Sequence, residues 1–306
     1  MQTVALGRTK ERIPAIGMGT WKMPNDSADC IEALRQGASL GMGLIDTAEM
    51  YANEEMVGRA LRAIGEDVFV ATKVSPHHFR EKDVIKACDA SLKRLGVDSI
   101  DLYQLHWPNH GVPIKETMCA MENLVKDGKV RHIGVSNFSI EEMIDAQASL
   151  KSEEIVSNQV EYSVFVRSIE RDLLKFCQKE RITVIAYSPL ARGAISRQHN
   201  RAVQGTLDEL ARHHGKTPVQ VALNYLISHD RVVAIPKARN VQHIAENSKA
   251  AGWHLTHPEM EKLAAAGSRG RPLVSGPVGW LAKNMSMWSS LMEKMERSRR
   301  KGGGRE

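Results

Sequence analysis

The sequence predicts an α/β protein built as a (β/α)8 TIM barrel, with an N-terminal β-hairpin and extra C-terminal helices. Three observations carry that expectation. Eight short apolar, strand-like runs alternate with helical stretches, and strict alternation of this kind means parallel pairing. Four polar residues, Asp46, Tyr51, Lys73 and His106, stand at or just past the ends of three consecutive early runs. The carboxyl ends of the strands are where such a barrel carries its chemistry. A chain of 306 residues also suits one barrel with added loops. An open doubly wound sheet is the rival fold, and eight repeats favour closure.

Residues 2–13 read as a hairpin turning at Gly7-Arg8-Thr9-Lys10. The first barrel strand is expected over 13–19, and Ile31, Leu34 and Ala38 mark one face of the helix after it. Strand 44–46 precedes a helix near 54–64. Strand 68–73 precedes a helix carrying Val84, Cys88 and Leu92 and ending at Gly96. Strand 100–106 precedes a helix carrying Ile114, Met118, Met121 and Val125. That helix ends at Gly128, since glycine suits the left-handed residue beyond a helix. Strand 130–135 leads to a helix opened by the capping box Ser139-x-x-Glu142. Strand 157–161 leads to a helix carrying Ile169, Leu173 and Phe176, and that to strand 183–187. Two helices follow, 206–214 and one opened by Thr217-Pro218-Val219-Gln220. Strand 232–235 and a helix over 241–250 close the pattern. The whole chain, 1–306, reads as one domain with a tail from about 270. There Trp280, Leu281, Met285, Trp288, Leu291 and Met295 recur at helical spacing. They read as a helix on the barrel's outside, or as a flap lending Trp280 or Trp288 to a pocket. Gly302-Gly303-Gly304 reads as a frayed end.

Bulk properties narrow the function classes. No apolar run approaches membrane-spanning length, and the first residues lack the pattern of a secretory signal. Cys30, Cys88, Cys119 and Cys177 are widely spaced with no CxxC pair, which reads as buried thiols in a reducing cytoplasm. The net charge of +6 is mostly the tail's, because residues 294–306 hold six basic and two acidic side chains. A body near +2 gives no reason to expect a nucleic-acid or membrane partner.

The four rim residues make a proton-donating set. Tyrosine has a reference pKa of about 10, and an adjacent ammonium lowers it by favouring the tyrosinate. An aspartate beside the lysine keeps it charged and aimed. A neutral imidazole can orient a carbonyl oxygen. Together they would polarise a carbonyl and supply its proton. The set holds no activated nucleophile and no metal cage. Side chains cannot donate hydride, so a cofactor is implied. Taken singly, each residue reads as an ordinary surface or core group; their co-location on one rim lifts them.

The segment Asp46-Thr47-Ala48-Glu49-Met50-Tyr51-Ala52-Asn53-Glu54 resembles the DTAxxYxNE signature of the aldo-keto reductases. Thr72-Lys73, Leu105-His106-Trp107, Gly134-Val135-Ser136-Asn137-Phe138, Asn158-Gln159-Val160 and Ala186-Tyr187-Ser188-Pro189-Leu190 follow in family order. The likeness covers residues from about 13 to 250 and is nearest to prokaryotic-type aldehyde and diketogulonate reductases. It implies Tyr51 as general acid, Lys73 and Asp46 as its tuners, and His106 as the orienter of the carbonyl. It also implies that Ser136, Asn137 and Gln159 bind the nicotinamide carboxamide, with Tyr187 stacked on the ring. Thr20, Ser188 and Leu190 would touch the cofactor too, the latter two along its pyrophosphate. Lys237, Glu246 and Asn247 would meet the adenosine end.

Two positions depart from the family where the 2′-phosphate of NADP usually sits: Ala238 replaces a Ser or Thr, and His243 replaces an Arg. Lys237 remains, and Arg239 offers a replacement cation, so NADPH is expected rather than NADH. The stretch between His106 and Ser136 is short, which implies an open pocket and broad tolerance. Trp21 is expected to line that pocket; Trp107 reads equally as pocket or as packing.

Other signals are declined. No GxGxxG follows a strand, and Leu210 stands where a phosphate loop ending Gly215-Lys216-Thr217 needs glycine. Pro108 keeps His106 and His110 off a shared helix, so no metal is expected. His77-His78 and His213-His214 read as solvated pairs. The expected function is cytoplasmic, NADPH-dependent reduction of aldehydes and ketones to alcohols by a monomer or weak homodimer acting on a small carbonyl substrate. The alternative is a non-catalytic nucleotide-binding regulatory protein on the same barrel, resembling the potassium-channel accessory subunits. All four catalytic positions being filled argues against it.

Overall fold

A computed structural model describes residues 1–65, 68–193 and 200–268. The expectations for the tail, Trp280 and Trp288 included, lie outside the described residues.

Strands β1 (Thr3–Ala5) and β2 (Arg12–Pro14) pair antiparallel, with Val4 opposite Ile13. Eight parallel strands follow: β3 (Met18–Gly19), β4 (Leu44–Asp46), β5 (Phe69–Val74), β6 (Ile100–Leu105), β7 (Val130–Ser136), β8 (Ile155–Glu161), β9 (Thr183–Tyr187) and β10 (Val232–Ala234). Their order in the sheet is their order in the chain. A parallel bridge from Ile16 to Ala234 joins the first strand segment to the last and closes the barrel. The amide of Gly17 donates to the Ala234 carbonyl at 2.9 Å across that seam.

One expected boundary is corrected. The first barrel strand does not begin at 13, because Ile13 belongs to the hairpin. Its side chain packs with Leu6, Leu44, Ala71, Leu102, Val156, Ile185 and Val233, one cluster drawn from six barrel strands and the hairpin. The hairpin therefore plugs the amino-terminal mouth of the barrel. Gly7 at its turn has φ +58°, and a Cβ there would meet Val156 at 2.8 Å, so only glycine fits.

The period of two along a strand then sorts the side chains. On β4 Leu44 and Asp46 share the inward face; on β5 Ala71 and Lys73 do; on β6 Leu102 and Gln104 do, and His106 continues that row. Each strand thus carries an apolar residue in the plug and a polar one a step nearer the rim. The outward residues, such as Ile45, Val70, Tyr103 and Leu105, join the larger core beneath the helices.

The helices are α1 (Ala28–Ser39), α2 (Glu54–Ile64), α3 (Glu81–Leu95), α4 (Ile114–Lys126), α5 (Ile140–Ala148), α6 (Leu173–Glu180), α7 (Arg201–His214), α8 (Pro218–Ile227), α9 (Val241–Ser248) and α10 (His257–Ser268). Both predicted capping boxes form, at Ser139/Glu142 and Thr217/Gln220. Gly96 and Gly128 each take φ +70° just past a helix, as expected. Two starts differ. Ile169 lies in a separate 3-10 turn, Ser168–Glu170, ahead of α6. Helix α7 begins at Arg201, because the Asn200 side chain accepts from the amides of Ala202 and Val203 and caps it early. Helices α7 and α10 are extra to the barrel repeat. Among the described residues no helix is long and apolar enough to cross a membrane, and all four cysteines are free thiols.

Helices α2 and α3 meet at Gly58. A Cβ there would fall 2.5 Å from the Leu95 carbonyl oxygen and 2.7 Å from that of Arg94. Those are backbone atoms at a helix end, which cannot swing aside. Gly58→Ala is expected to cost about 1–3 kcal/mol in urea denaturation, the usual range for overpacking a tight contact. An unchanged midpoint would mean the helices have room to part.

Candidate active site

Asp46, at the end of β4, and Lys73, on β5, are both buried. The Lys73 ammonium donates to Asp46 Oδ1 at 2.6 Å and to the Thr47 carbonyl at 2.7 Å. The other carboxylate oxygen, Oδ2, accepts from Gln159 Nε2 at 2.7 Å and from Gln104 Nε2 at 3.4 Å. An ion pair taken out of water needs this extra bonding to be tolerated. Sequence reasoning missed Gln104. Its signal was its place two residues before His106, on the same strand face.

Gln159 reaches Asp46 through an irregularity. The pairing of β7 with β8 slips between Ile133, opposite Ile155, and Gly134, opposite Ser157. The extra residue, Val156, shifts the strand's parity, so Val156 and Gln159 both face inward.

Tyr51 ends a 3-10 turn, Glu49–Tyr51, that follows β4. Its ring lies 5.0 Å from the Lys73 ammonium and meets the His106 ring edge-on, with centroids 5.5 Å apart. The turn is anchored by the rest of the motif. Asn53 donates to the carbonyls of Thr20 and Met23 and accepts from the Thr47 hydroxyl at 2.9 Å. Glu54 is buried, accepting from Thr72 at 2.6 Å and from Arg94 of α3 at 2.7 Å. Thr20 donates its hydroxyl to the Asp46 carbonyl at 3.0 Å.

Electrostatics correct one expectation. Burial first, and then the charge of Asp46, push the Tyr51 phenol well above its ordinary range. The sequence reading had Lys73 lowering it. Burial and Asp46 outweigh the pull of the Lys73 ammonium, whose own pKa burial lowers, with Asp46 opposing. Burial and the Lys73 charge hold the His106 imidazole well below its usual value, so it is neutral. Its Nδ1 is buried without a hydrogen-bond partner.

The end of β7 and the loop after β9 form the neighbouring wall. Ser136 donates to the Gln159 carbonyl at 2.9 Å. The Asn137 amide donates to Ser136 Oγ at 2.9 Å and to the His106 carbonyl at 3.1 Å. Its oxygen accepts from the Tyr187 hydroxyl at 3.0 Å. Ser136, Asn137, Gln159 and Tyr187 are therefore brought together, although the Gln159 amide nitrogen points at Asp46. Among the described residues, six of the eight non-glycine residues with positive φ lie on loops after barrel strands: Lys22, Ala52, Asn137, Ser188, Ala191 and Arg192. Backbone strain of this sort gathers at functional sites. Ser188 and Leu190 are half-buried on that loop.

Trp21 lies beside that loop, with the Lys22 ammonium 4.5 Å and the Arg192 guanidinium 5.6 Å from its ring. Trp107 directly follows His106 and is half-buried. Beyond β10 lie Lys237 and Arg239, both exposed, with Ala238 buried between them. Arg239 donates to the Lys22 carbonyl. Partial burial, then Arg239, then Lys22 hold Lys237 below its ordinary value. Among the described residues no ion pair joins these three cations to a carboxylate. Such an unopposed cluster fits a phosphate. Lys22 is its unforeseen member. His243 is exposed in the first turn of α9, its amide bound by Asn240 Oδ1 at 2.8 Å. Glu246 is half-buried and Asn247 buried on the same helix.

His77, His78 and His213 are exposed, as the reading of solvated pairs expects, whereas His214 is half-buried. His78 contacts Glu49 at 3.1 Å. His213 and His214 both contact Glu259, at 3.0 and 2.9 Å.

A protonated phenol and a neutral imidazole beside a locked ion pair can bind a carbonyl oxygen and give it a proton. A reductant must come from outside the chain. The aromatic hydroxyl of Tyr187, the polar end of β7 and the cation cluster fit a dinucleotide phosphate along one side of the rim.

Comparison with known proteins agrees. The sequence profile of the Aldo/keto reductase family matches residues 15–267. Methylglyoxal reductase YeaE of Escherichia coli (strain K12) is 40% identical over 260 residues, spanning 83% of this chain and 91% of that protein. Glyoxal reductase of Bacillus subtilis (strain 168) is 34% identical over 258 residues, spanning 83% and 88%. A crystal structure of an aldo/keto reductase from Klebsiella pneumoniae, in complex with NADP and acetate, superposes with a TM-score of 0.81 at 37% identity, covering 90% of this chain and 99% of that one.

Proposed function

Because the chain belongs to the aldo/keto reductase family, we propose that it reduces small aldehydes and ketones to alcohols with NADPH, Tyr51 giving the carbonyl oxygen its proton. It is an oxidoreductase of the carbonyl-reducing kind, and NADPH is its cofactor. The observation that carries the catalytic reading is the buried Lys73–Asp46 pair standing beside Tyr51 and His106.

The residues divide the work as follows. At neutral pH the Tyr51 phenol holds its proton, so it is ready as an acid. The proton leaves only as negative charge grows on the carbonyl oxygen. The Lys73 ammonium near the ring stabilises the tyrosinate that results, which is an interaction stronger after transfer than before. His106 orients the oxygen. A buried N–H without a partner costs more than a buried lone pair; with Nδ1 orphaned, the imidazole proton belongs on Nε2, where it can donate. Asp46, braced by Gln104 and Gln159, fixes the ammonium. When bound, NADPH supplies the hydride to the carbonyl carbon. Ser136, Asn137, Gln159 and Tyr187 would hold its nicotinamide end, with Thr20, Ser188 and Leu190 further along. Lys22, Lys237 and Arg239 would hold the 2′-phosphate, and His243, Glu246 and Asn247 lie near the adenosine. Trp21 and Trp107 would border the substrate.

Arg239→Ala is expected to raise KM for NADPH roughly 10- to 100-fold, the loss of one charge-assisted contact, and to leave KM for NADH unchanged. Steady-state kinetics with both cofactors check this; equal losses for the two would remove Arg239 from the phosphate site.

The substrate class we favour is short aldehydes bearing a second oxygen, such as methylglyoxal and glyoxal. The activities for which the relatives are named support it, as does the short stretch after His106. A panel of aliphatic, aromatic and dicarbonyl aldehydes tests it: the dicarbonyls should show the highest kcat/KM. Preference for bulky aromatic aldehydes would overturn the choice. The unpaired thiols suit a reducing cytoplasm.

A further inference from the structure

The two helices that are extra to the barrel repeat meet at three metal-capable side chains. His213 and His214 occupy the last turn of α7, and Glu259 the first turn of α10. One ligand atom from each of the three lies within 4.8 Å of the other two, and His213 Nδ1 and His214 Nε2 both contact Glu259 Oε1. Among the described residues no other trio of His, Cys, Asp and Glu comes together in this way. We infer that this cluster is a binding site for a zinc-like divalent cation, separate from the catalytic rim.

The donor set suits that chemistry. Two imidazoles and one carboxylate, with solvent as the fourth ligand, are a common tetrahedral zinc shell. Zinc bonds of about 2.0–2.2 Å hold neighbouring ligand atoms roughly 3.4 Å apart. The imidazole nitrogens already stand 3.0 and 2.9 Å from the shared oxygen. Opening each contact by a few tenths of an ångström, and turning the rings so that the two nitrogens, which lie within 4.8 Å of each other, close to the same spacing, makes room for the ion.

The carboxylate is pre-aimed. Glu259 Oε2 accepts from the Thr256 amide at 2.8 Å and from the Thr256 hydroxyl at 2.9 Å. That leaves Oε1 to face the histidines, the arrangement by which outer partners orient a metal ligand. A second tie, Lys262 to Glu209 at 2.6 Å, holds α10 on α7 without any ion, so the ligands are gathered before binding. The His214 ring packs against Trp253, with centroids 4.9 Å apart, which fixes its orientation. The exposures grade in the right way: the Glu259 and His214 side chains are 13% and 21% exposed, and His213 is 71% exposed. His213 is therefore the open edge through which an ion enters and beside which a water can complete the shell. The carbonyl end of α7 adds negative potential there.

The test is calorimetric titration of ZnCl2 into the full, chelator-treated chain carrying no polyhistidine tag. We expect saturation at one zinc per chain and a change in Trp253 emission that follows the same isotherm. His213→Ala removes an exposed ligand without disturbing the core and should weaken zinc binding at least tenfold; Glu259→Gln should do the same. NADPH-dependent turnover should stay at the parent's value in His213→Ala. Absence of saturable one-to-one binding would overturn the site, as would parent-like zinc affinity in His213→Ala.

Discussion

Tyr51→Phe is expected to lower kcat by about 10³-fold, within the range that a positioned general acid contributes. The variant removes one hydroxyl and keeps the ring. The edge contact with His106 and the neighbouring Lys73 ammonium remain, so the wall of the pocket keeps its shape. Affinity for NADPH should change by no more than roughly twofold, since the lost group acts on the transition state rather than on the bound cofactor. Turnover with a small aldehyde, paired with a fluorescence titration of NADPH, reads both numbers. A variant that keeps the parent's rate would remove Tyr51 from the chemistry. One whose NADPH affinity falls in step with its rate would make it a binding residue.

The second large effect is on stability. Asp46→Asn leaves the Lys73 ammonium buried with a single strong acceptor, the Thr47 carbonyl. Removing one partner of a buried pair costs roughly 3–5 kcal/mol, whereas replacing both by neutral groups is often near neutral. Asp46→Asn should therefore shift the urea midpoint sharply downward. Adding Lys73→Met should restore most of the loss. Neither variant should turn over at more than about a hundredth of the parent rate, because the tyrosinate is left without its ammonium or the ammonium without its anchor. Recovery of stability with no recovery of activity separates the two roles of the pair. Parent-like stability in Asp46→Asn would show that the ammonium is not held as described. Parent-like turnover in the double variant would show that it is not needed.

Much of the site could be read from strand parity alone. Leu44 with Asp46, and Ala71 with Lys73, put one apolar and one polar inward residue on successive strands, and the sequence shows that directly. Gln104 obeys the same rule and was overlooked only because glutamine carries no chemistry by itself. Gln159 was assigned to the cofactor, yet its amide braces Asp46. That depends on one extra residue at Val156, and a bulge leaves no mark in an otherwise regular apolar run. The direction of the Tyr51 shift also escaped the sequence. Adjacency of a lysine argues for a lowered value, but burial and a nearby carboxylate are properties of the folded rim. Likewise, Ile13 looks like the start of a barrel strand until the plug beneath the barrel claims it. His213 and His214 look like surface residues until α10 brings Glu259 to them from more than forty positions away. Lys22 joins Lys237 and Arg239 from the far end of the chain, through closure of the first strand on the last.

The most direct test of carbonyl reduction at this rim uses NADPH deuterated at its hydride-bearing carbon, each face in a separate run, with the purified chain and methylglyoxal. Cofactor should be consumed one-for-one with alcohol formed, and one of the two labels should appear on the former carbonyl carbon. A chain that binds NADPH, yet consumes none and forms no alcohol across aldehydes and ketones, would contradict carbonyl reduction here.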